Sequence, residues 1–297
     1  MIELLEAEKR FGSVTAVDRI SLTVGQGEIF GLVGPDGAGK TTTIRLLTGV
    51  VDPTAGIVRV MGRTRFEKIK PHLGYVPQQF SLYGDLTVLE NIRFIGSLYG
   101  AARRKITARA EEILRFTNLW PFRNRLAANL SGGMKQKLAL AAGLMHQPAL
   151  FLLDEPTTGV DPVSRREFWQ MLYRLNQEGM TIFISTPYME EAELCARVAL
   201  MHQGRIVSVA PPRELKRQYP YRLLELQARR KDIKPLLAEC PVREVNSFGA
   251  KYHLVVDDPT VAATAVRQTL TAAGIEVLSL VAIEPTLEDV FVEFAGR

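Results

Sequence analysis

Gly34-Pro35-Asp36-Gly37-Ala38-Gly39-Lys40-Thr41-Thr42 fits G-x-x-x-x-G-K-[ST], a loop whose backbone N–H groups wrap phosphate oxygens. The run before it, Glu28 to Val33, reads as a buried strand. The run after it, Thr43-Ile44-Arg45-Leu46-Leu47, begins a helix that Gly49 can end. Strand, glycine loop and helix N-terminus aim successive N–H groups and the helix dipole at one spot, which favours a polyanion. Lys40 is placed to reach the outer phosphates and Thr41 to hold Mg²⁺. Gly34, Pro35, Asp36, Gly37, Ala38, Gly39, Lys40, Thr41 and Thr42 are therefore the candidate phosphate-binding set.

Two other stretches carry chemistry. Ala149-Leu150-Phe151-Leu152-Leu153-Asp154-Glu155 is an apolar strand ending in two carboxylates. Asp154, at the strand end, is placed to bind Mg²⁺ through water. Glu155, one residue on, is placed to orient or deprotonate an attacking water. In Leu130-Ser131-Gly132-Gly133-Met134-Lys135-Gln136, Ser131 can cap a helix, and two glycines leave the backbone bare for close approach of a phosphate.

The bulk properties bound the class. At 297 residues, two domains are expected, and 46% hydrophobic with 23% charged residues is ordinary globular composition. No apolar run reaches the ~18 residues of a membrane span, and the N-terminus lacks a signal-peptide pattern, so a cytoplasmic protein is expected. Cys195 and Cys240 lack metal-type spacing and read as reduced core thiols. The net charge of +5 is mild, and no nucleic-acid partner is expected without a concentrated basic stripe. The clusters Arg103-Arg104-Lys105, Arg123 with Arg125, and Arg229-Arg230-Lys231 read as solvated helix ends and linkers, with a face beside anionic lipid as the alternative.

Up to residue 210, short apolar strands alternate with helices: Ile2 to Leu5, Glu28 to Val33, Ile57 to Met61, Leu150 to Leu153 and Thr181 to Ser185 read as strands. Between about 85 and 147 the spacing is helical, with Leu89, Ile92, Ile95 and Tyr99 on one face and Ile106, Ala110, Ile113 and Leu114 on another. This predicts a helical subdomain inserted in an α/β domain over 1–212. Pro211-Pro212 breaks the chain. Residues 213–297 then read strand (Tyr221 to Gln227), helix (Lys231 to Glu239), strand (Val242 to Ser247), strand (Lys251 to Val256), helix (Pro259 to Ala273), strand (Glu276 to Ile283) and a last helix (Pro285 to Phe294). That is the ferredoxin-like order, in a small α+β domain of accessory or regulatory type.

Over its first 210 residues the chain resembles an ATP-binding-cassette (ABC) transporter nucleotide-binding subunit. The resemblance implies a P-loop ABC ATPase core with ATP and Mg²⁺ as cofactors, Glu155 catalytic, and Asp154 and Thr41 as metal ligands. It implies that Ser131, Gly132 and Gly133 serve the nucleotide of a second subunit. Gln78, in Gly74-Tyr75-Val76-Pro77-Gln78, matches the Q-loop glutamine, a Mg²⁺ and water ligand that senses the membrane partner. Asp161, in Gly159-Val160-Asp161, matches the D-loop residue that crosses the dimer interface. Phe11, in Lys9-Arg10-Phe11-Gly12, matches the aromatic that stacks on adenine. The tail Glu284-Pro285-Thr286-Leu287-Glu288-Asp289-Val290-Phe291 is similar to exporter subunits of the ABC-2 class, multidrug-export-like. The implied partners are an ABC-2 membrane permease and a second ATP-binding subunit, in a homodimer or heterodimer held peripherally on the cytoplasmic side of the membrane.

Two positions depart from the family. Where a switch histidine follows the strand ending Ile184-Ser185-Thr186, this chain has Pro187, with Thr186 expected as N-cap and Pro187 as the first helical residue. Loss of a positioned imidazole predicts slow hydrolysis, and an ATP-gated structural subunit is the alternative reading. Asp36 puts a carboxylate beside the phosphates, where the family has a neutral residue, and predicts a modest cost to ATP affinity.

Overall fold

The computed structural model describes residues 1–99, 103–229 and 232–295. The chain divides into two compact units, Met1–Pro212 and Arg213–Arg297.

The first unit holds two sheets. β1 (Ile2–Phe11), β2 (Val14–Val24) and β4 (Ala55–Val60) form an antiparallel sheet in the order β2-β1-β4. The second sheet runs β5-β6-β7-β3-β8-β9, from β3 (Ile29–Val33), β5 (Leu73–Val76), β6 (Leu150–Asp154), β7 (Thr181–Thr186), β8 (Arg197–His202) and β9 (Arg205–Ala210). All its pairings are parallel except β8 with β9. β3, β6 and β7 are fully buried, which is why they read as unbroken apolar runs rather than alternation. The inner faces of the two sheets and α1 (Lys40–Leu47) share one core that includes Leu4, Val17, Ile20, Leu32, Ile44, Leu47 and Phe183.

The helical segment consists of α2 (Val88–Leu98), α3 (Arg103–Phe116) and α4 (Gly132–Gly143). Thr87 opens α2 with a reciprocal capping box to Glu90, a local stop that fixes where the helix starts. The face of α2 that is buried carries Val88, Asn91, Ile92 and Gly96, one step off the expected stripe, and Tyr99 is exposed. Asn91 shifts the stripe: its buried amide donates to the carbonyls of Tyr83, Leu86 and Thr87 and accepts from the Tyr83 N–H. α5 (Pro162–Gln177) and the short α6 (Met189–Ala192) complete the unit, and α7 (Pro212–Arg217) follows β9.

The second unit is a four-stranded antiparallel sheet in the order β11-β12-β10-β13, from β10 (Arg222–Ala228), β11 (Glu244–Phe248), β12 (Lys251–Val256) and β13 (Val277–Ile283). Its core packs Leu224, Leu226, Leu254 and Val256 against Ala262, Val266 and Leu270 of α8 (Pro259–Ala272). α9 (Leu287–Ala295) ends it. The helix expected over 231–239 is only a 3₁₀ turn at Lys234–Leu237, since Pro235 and the short run to Pro241 leave no room for α-helical bonding. Arg230 and Lys231 lie outside the described residues. No helix among the described residues is long and apolar enough to cross a membrane.

Candidate functional site

Parallel strands put the carboxyl ends of β3, β6 and β7 at one edge of the sheet. The loop 34–39 leaves β3 there, Asp154 ends β6, and Pro187 follows β7. Gly39 sits directly before α1 with φ 107°, and a Cβ on it would lie 2.5 Å from the Ala16 carbonyl oxygen. A Cβ on Gly34 would lie 2.1 Å from the Met201 carbonyl oxygen. Both positions therefore require glycine. No side chain caps α1, so its first-turn N–H groups remain available to an external anion.

Lys40, the first residue of α1, is buried, with its Nζ donating to the carbonyls of Gly34 (2.7 Å) and Pro35 (2.9 Å). It also lies 3.1 Å from Oε1 of Glu155, itself buried. An ammonium taken out of water costs several kcal/mol unless it is paired, so the ion pair and the two carbonyls together make this burial tolerable. The other Glu155 oxygen, Oε2, accepts from Gln78 Nε2 at 3.1 Å and from Thr158 Oγ1 at 3.4 Å. Glu155 has φ 47°, left-handed backbone, and its N–H donates to both the carbonyl and the hydroxyl of Ser185.

Asp154 pairs in register with Ser185, whose Oγ donates to Asp154 Oδ1 at 2.7 Å; Thr41 Oγ1 donates to the same oxygen at 3.2 Å. Burial raises the Asp154 pKa above its ordinary value, an effect that the two hydroxyls oppose and the Glu155 charge reinforces. Among the described residues no cluster of His, Cys, Asp and Glu is large enough to hold a metal unaided. One carboxylate and one hydroxyl, beside a loop of open N–H groups, fit an ion that takes its remaining ligands from phosphate oxygens and water, as Mg²⁺ does.

The remaining candidates form a second group. Ser131 caps α4, its Oγ accepting from the Met134 N–H at 3.3 Å, and Ser131 and Gly132 are exposed. A Cβ on Gly133 would lie 2.5 Å from the Ser164 Cβ, so the glycine lets α4 pack closely on α5. Asp161 is exposed and caps α5 through the Ser164 N–H, which holds its carboxyl below the usual range. Ser131, Gly132, Gly133 and Asp161 make no hydrogen bond to residues 34–42 among the described residues. Phe11 ends β1 nearly half-exposed, with the Lys9 Nζ 5.2 Å over its ring. Asp36 is exposed. Arg123 and Arg125 of the basic clusters stack on Trp120 and Phe122, and Arg229 pairs with Glu276.

One local expectation is corrected. Pro187 occupies a bend, Tyr188 is the N-cap, and the helix starts at Met189. The Thr186 hydroxyl accepts from the Tyr188 N–H and donates to Glu191 Oε2, which closes a turn around the proline instead of capping a helix at it. Ser185, Thr158 and Glu191 escaped the sequence reading. Strand register alone could have pointed to Ser185; nothing local marks the other two.

Comparison with known proteins places this geometry. The ABC transporter family profile matches residues 17–158, and that of the DrrA1-3-like ATP-binding protein C-terminal domain matches residues 211–295. The chain is 42% identical over 221 residues to the probable multidrug ABC transporter ATP-binding protein YbhF of Escherichia coli (strain K12), covering 73% of this chain and 38% of that protein. It thus spans about two fifths of that relative's length. It is 34% identical over 307 residues to the linearmycin resistance ATP-binding protein LnrL of Bacillus subtilis (strain 168), covering 100% of this chain and 99% of that one. Among solved structures, a dimeric post-hydrolysis state of the ATP-binding cassette MJ0796 bound to ADP and Pi matches with a TM-score of 0.66 at 26% identity, over 71% of this chain and 98% of that one.

Proposed function

The chain belongs to the ABC transporter family of ATP-binding subunits, and on that premise we propose that it is the ATP-hydrolysing motor of an exporter. The observation that supports this best is the convergence of Lys40, Thr41, Asp154, Glu155 and Gln78 at the carboxyl edge of one sheet. Lys40 exchanges its Glu155 partner for the outer phosphates of ATP, while the N–H groups of residues 36–42 hold the inner ones. Thr41, Asp154 and Gln78 hold Mg²⁺, which when bound neutralises charge on the phosphate oxygens. Glu155, released from Lys40, takes the proton of an attacking water that Gln78 helps to orient. Phe11 stacks on the adenine.

Two copies, or this chain and a second ATP-binding subunit, close on the nucleotides. Ser131, Gly132 and Gly133 of one subunit complete the site of the other, and Asp161 crosses between them. The exposure of Ser131, Gly132 and Asp161, and the lack of any hydrogen bond from this group to residues 34–42 among the described residues, support this division of labour. The motor docks on a separate ABC-2 type membrane permease through the Gln78 region, and so works at the membrane surface. Residues 213–297 act as an accessory domain.

Pro187 supports a second reading, slow turnover in the isolated protein. A positioned acid–base or hydrogen-bonding group contributes about 10²–10⁴ in rate, and a proline ring supplies none. ATP hydrolysis by the purified protein, beside a Glu155→Gln control and with and without the permease, tests both. Turnover that Glu155→Gln abolishes supports the motor. Background rates with ATP bound, unchanged by the permease, would leave only the gated subunit.

A further inference from the structure

Glu191 lies outside every motif quoted above, yet it is among the most buried charged side chains in the first unit, at 1% exposure. Its carboxylate is a meeting point. Oε1 accepts the hydroxyl of Thr157, two residues beyond Glu155, and Oε2 accepts the hydroxyl of Thr186, one residue before Pro187, at 2.7 Å. Both threonines are buried as well. Arg165, in the first turns of the helix that Asp161 caps, lies 3.5 Å from Oε1 through Nε, close enough for attraction but not aligned for a hydrogen bond. Its guanidinium stacks 4.5 Å over the Tyr188 ring instead.

The bonds around Glu191 extend in both directions. Thr186 Oγ1, having donated to Glu191, accepts from the Tyr188 N–H and so fixes the turn at Pro187. Beyond Thr157, the Thr158 and Val160 N–H groups donate to the carbonyls of Glu155 and Thr157, and Thr158 Oγ1 reaches the Glu155 carboxylate. Residues 155–160 are thus a closed turn anchored through Thr157. A carboxylate suits this place because both of its oxygens only accept, so each hydroxyl is forced to donate inward and keeps its lone pairs for its own loop. An apolar residue of similar size would pack there, but would set the direction of neither hydroxyl.

We propose that Glu191 is a positioning residue, one carboxylate that registers the Glu155 turn against the Pro187 turn and the start of α5. With proline rather than histidine directly after β7, the backbone around Pro187 can act on the nucleotide only by its placement, and Glu191 sets that placement. The proposal rests on Glu155 being the residue that faces the attacking water. Its test is therefore built to fail separately from that reading.

Three full-length variants serve: Glu191→Gln, which keeps the shape but accepts on one atom only, and Thr157→Val and Thr186→Val, which each delete one hydroxyl. Hydrogen exchange of the nucleotide-free proteins is followed at the amides of 157–161 and of 186, 188 and 189, with affinity for a fluorescent ATP analogue, melting temperature and steady-state turnover beside it. Positioning predicts faster exchange in both segments for Glu191→Gln, and in the matching segment alone for each threonine variant. It also predicts affinity within about twofold of wild type and kcat lower by about 10²-fold, the scale of a misplacement near 1 Å. Combined with Glu191→Gln, either valine variant should lose little more than one substitution alone. Unchanged exchange in Glu191→Gln overturns the proposal, whether or not the protein hydrolyses ATP. So does a parallel loss of affinity, melting temperature and kcat, which marks a merely structural group. If wild-type turnover does not depend on Glu155, the function proposed above fails, while the exchange pattern still decides the tie.

Discussion

Replacing Glu155 by Gln should make the nucleotide-free protein less stable and its grip on ATP tighter, by the same free energy. In the structure the Lys40 ammonium and the Glu155 carboxylate are both buried and 3.1 Å apart. Gln keeps an oxygen near Lys40 but removes the charge, and the Gly34 and Pro35 carbonyls remain. The loss is then that of one charge-assisted hydrogen bond, about 1.5–3 kcal/mol, rather than the about 3–5 kcal/mol of a buried charge left with no partner. On the proposed function, the phosphates of bound ATP would take over the ammonium and the penalty would disappear. Linkage converts the difference into an affinity gain of about 10- to 140-fold. It also lowers the melting temperature of the ATP-free cassette by about 3–10 °C. Equilibrium titration with a fluorescent ATP analogue and thermal melts without nucleotide read the two quantities independently. Tighter binding with no loss of melting temperature would mean simple relief of repulsion between Glu155 and the phosphates, and would refute a stabilising role for the Lys40–Glu155 pair. Equal affinity would refute it as well.

Other outcomes follow from single contacts. Burial raises the Asp154 pKa above its ordinary 3.8, so the stability tied to its protonated form is present below that value and lost as pH rises through the native one. Asp154→Asn should therefore melt higher than wild type at pH 7 without Mg²⁺, with the gap closing as pH falls toward about 4. Gly39→Ala combines left-handed backbone with a contact to Ala16, costing at least about 1–3 kcal/mol, and should lose ATP binding in a titration while still expressing. Pro187→His should raise turnover by one or more powers of ten under identical assay conditions; equal or lower rates would show that the missing imidazole is not what limits hydrolysis. Cys195, whose thiol burial pushes far up, should resist a thiol-reactive dye in the native protein and label only at the global unfolding rate.

Much of this architecture was legible because a few segments state their own geometry. Glycine at 34, 37 and 39, then Lys40 and Thr41, marks the turn from β3 into α1, and the apolar run into Asp154 gives a buried strand by composition alone. The strands that escaped are those whose burial is one-sided or whose partner is distant. β2 mixes exposed and buried residues through an irregular pairing with β1, and β5 is four residues long. At the site, adjacency to Asp154 at the end of an apolar strand points to Glu155, and Gln78 is marked only by the resemblance that Gly74-Tyr75-Val76-Pro77-Gln78 carries. Ser185 and Glu191 meet their partners only through strand register and packing, 31 and 34 residues away from Asp154 and Thr157. A single sequence does not encode such meetings locally. The short helix after Pro187 starts two residues later than the sequence suggests because the Thr186 hydroxyl, a plausible cap, accepts from the Tyr188 N–H and closes a turn there instead.

The left-handed backbone at Glu155 also narrows how this position can drift over generations. A glutamate codon reaches Gln, Lys, Ala, Val, Gly or Asp by one base change. Val is disfavoured there by its branched Cβ, whereas Gly and Asp tolerate that conformation better than the glutamate they would replace. The departures that the backbone tolerates best are thus the ones whose shorter side chains fall away from Lys40 and Gln78, giving up the ion pair that steadies the nucleotide-free site. Backbone strain and the buried ion pair thus pull this position in opposite directions, and a lineage relieved of selection on turnover would keep glutamate only as far as the Lys40 pair outweighs the strain.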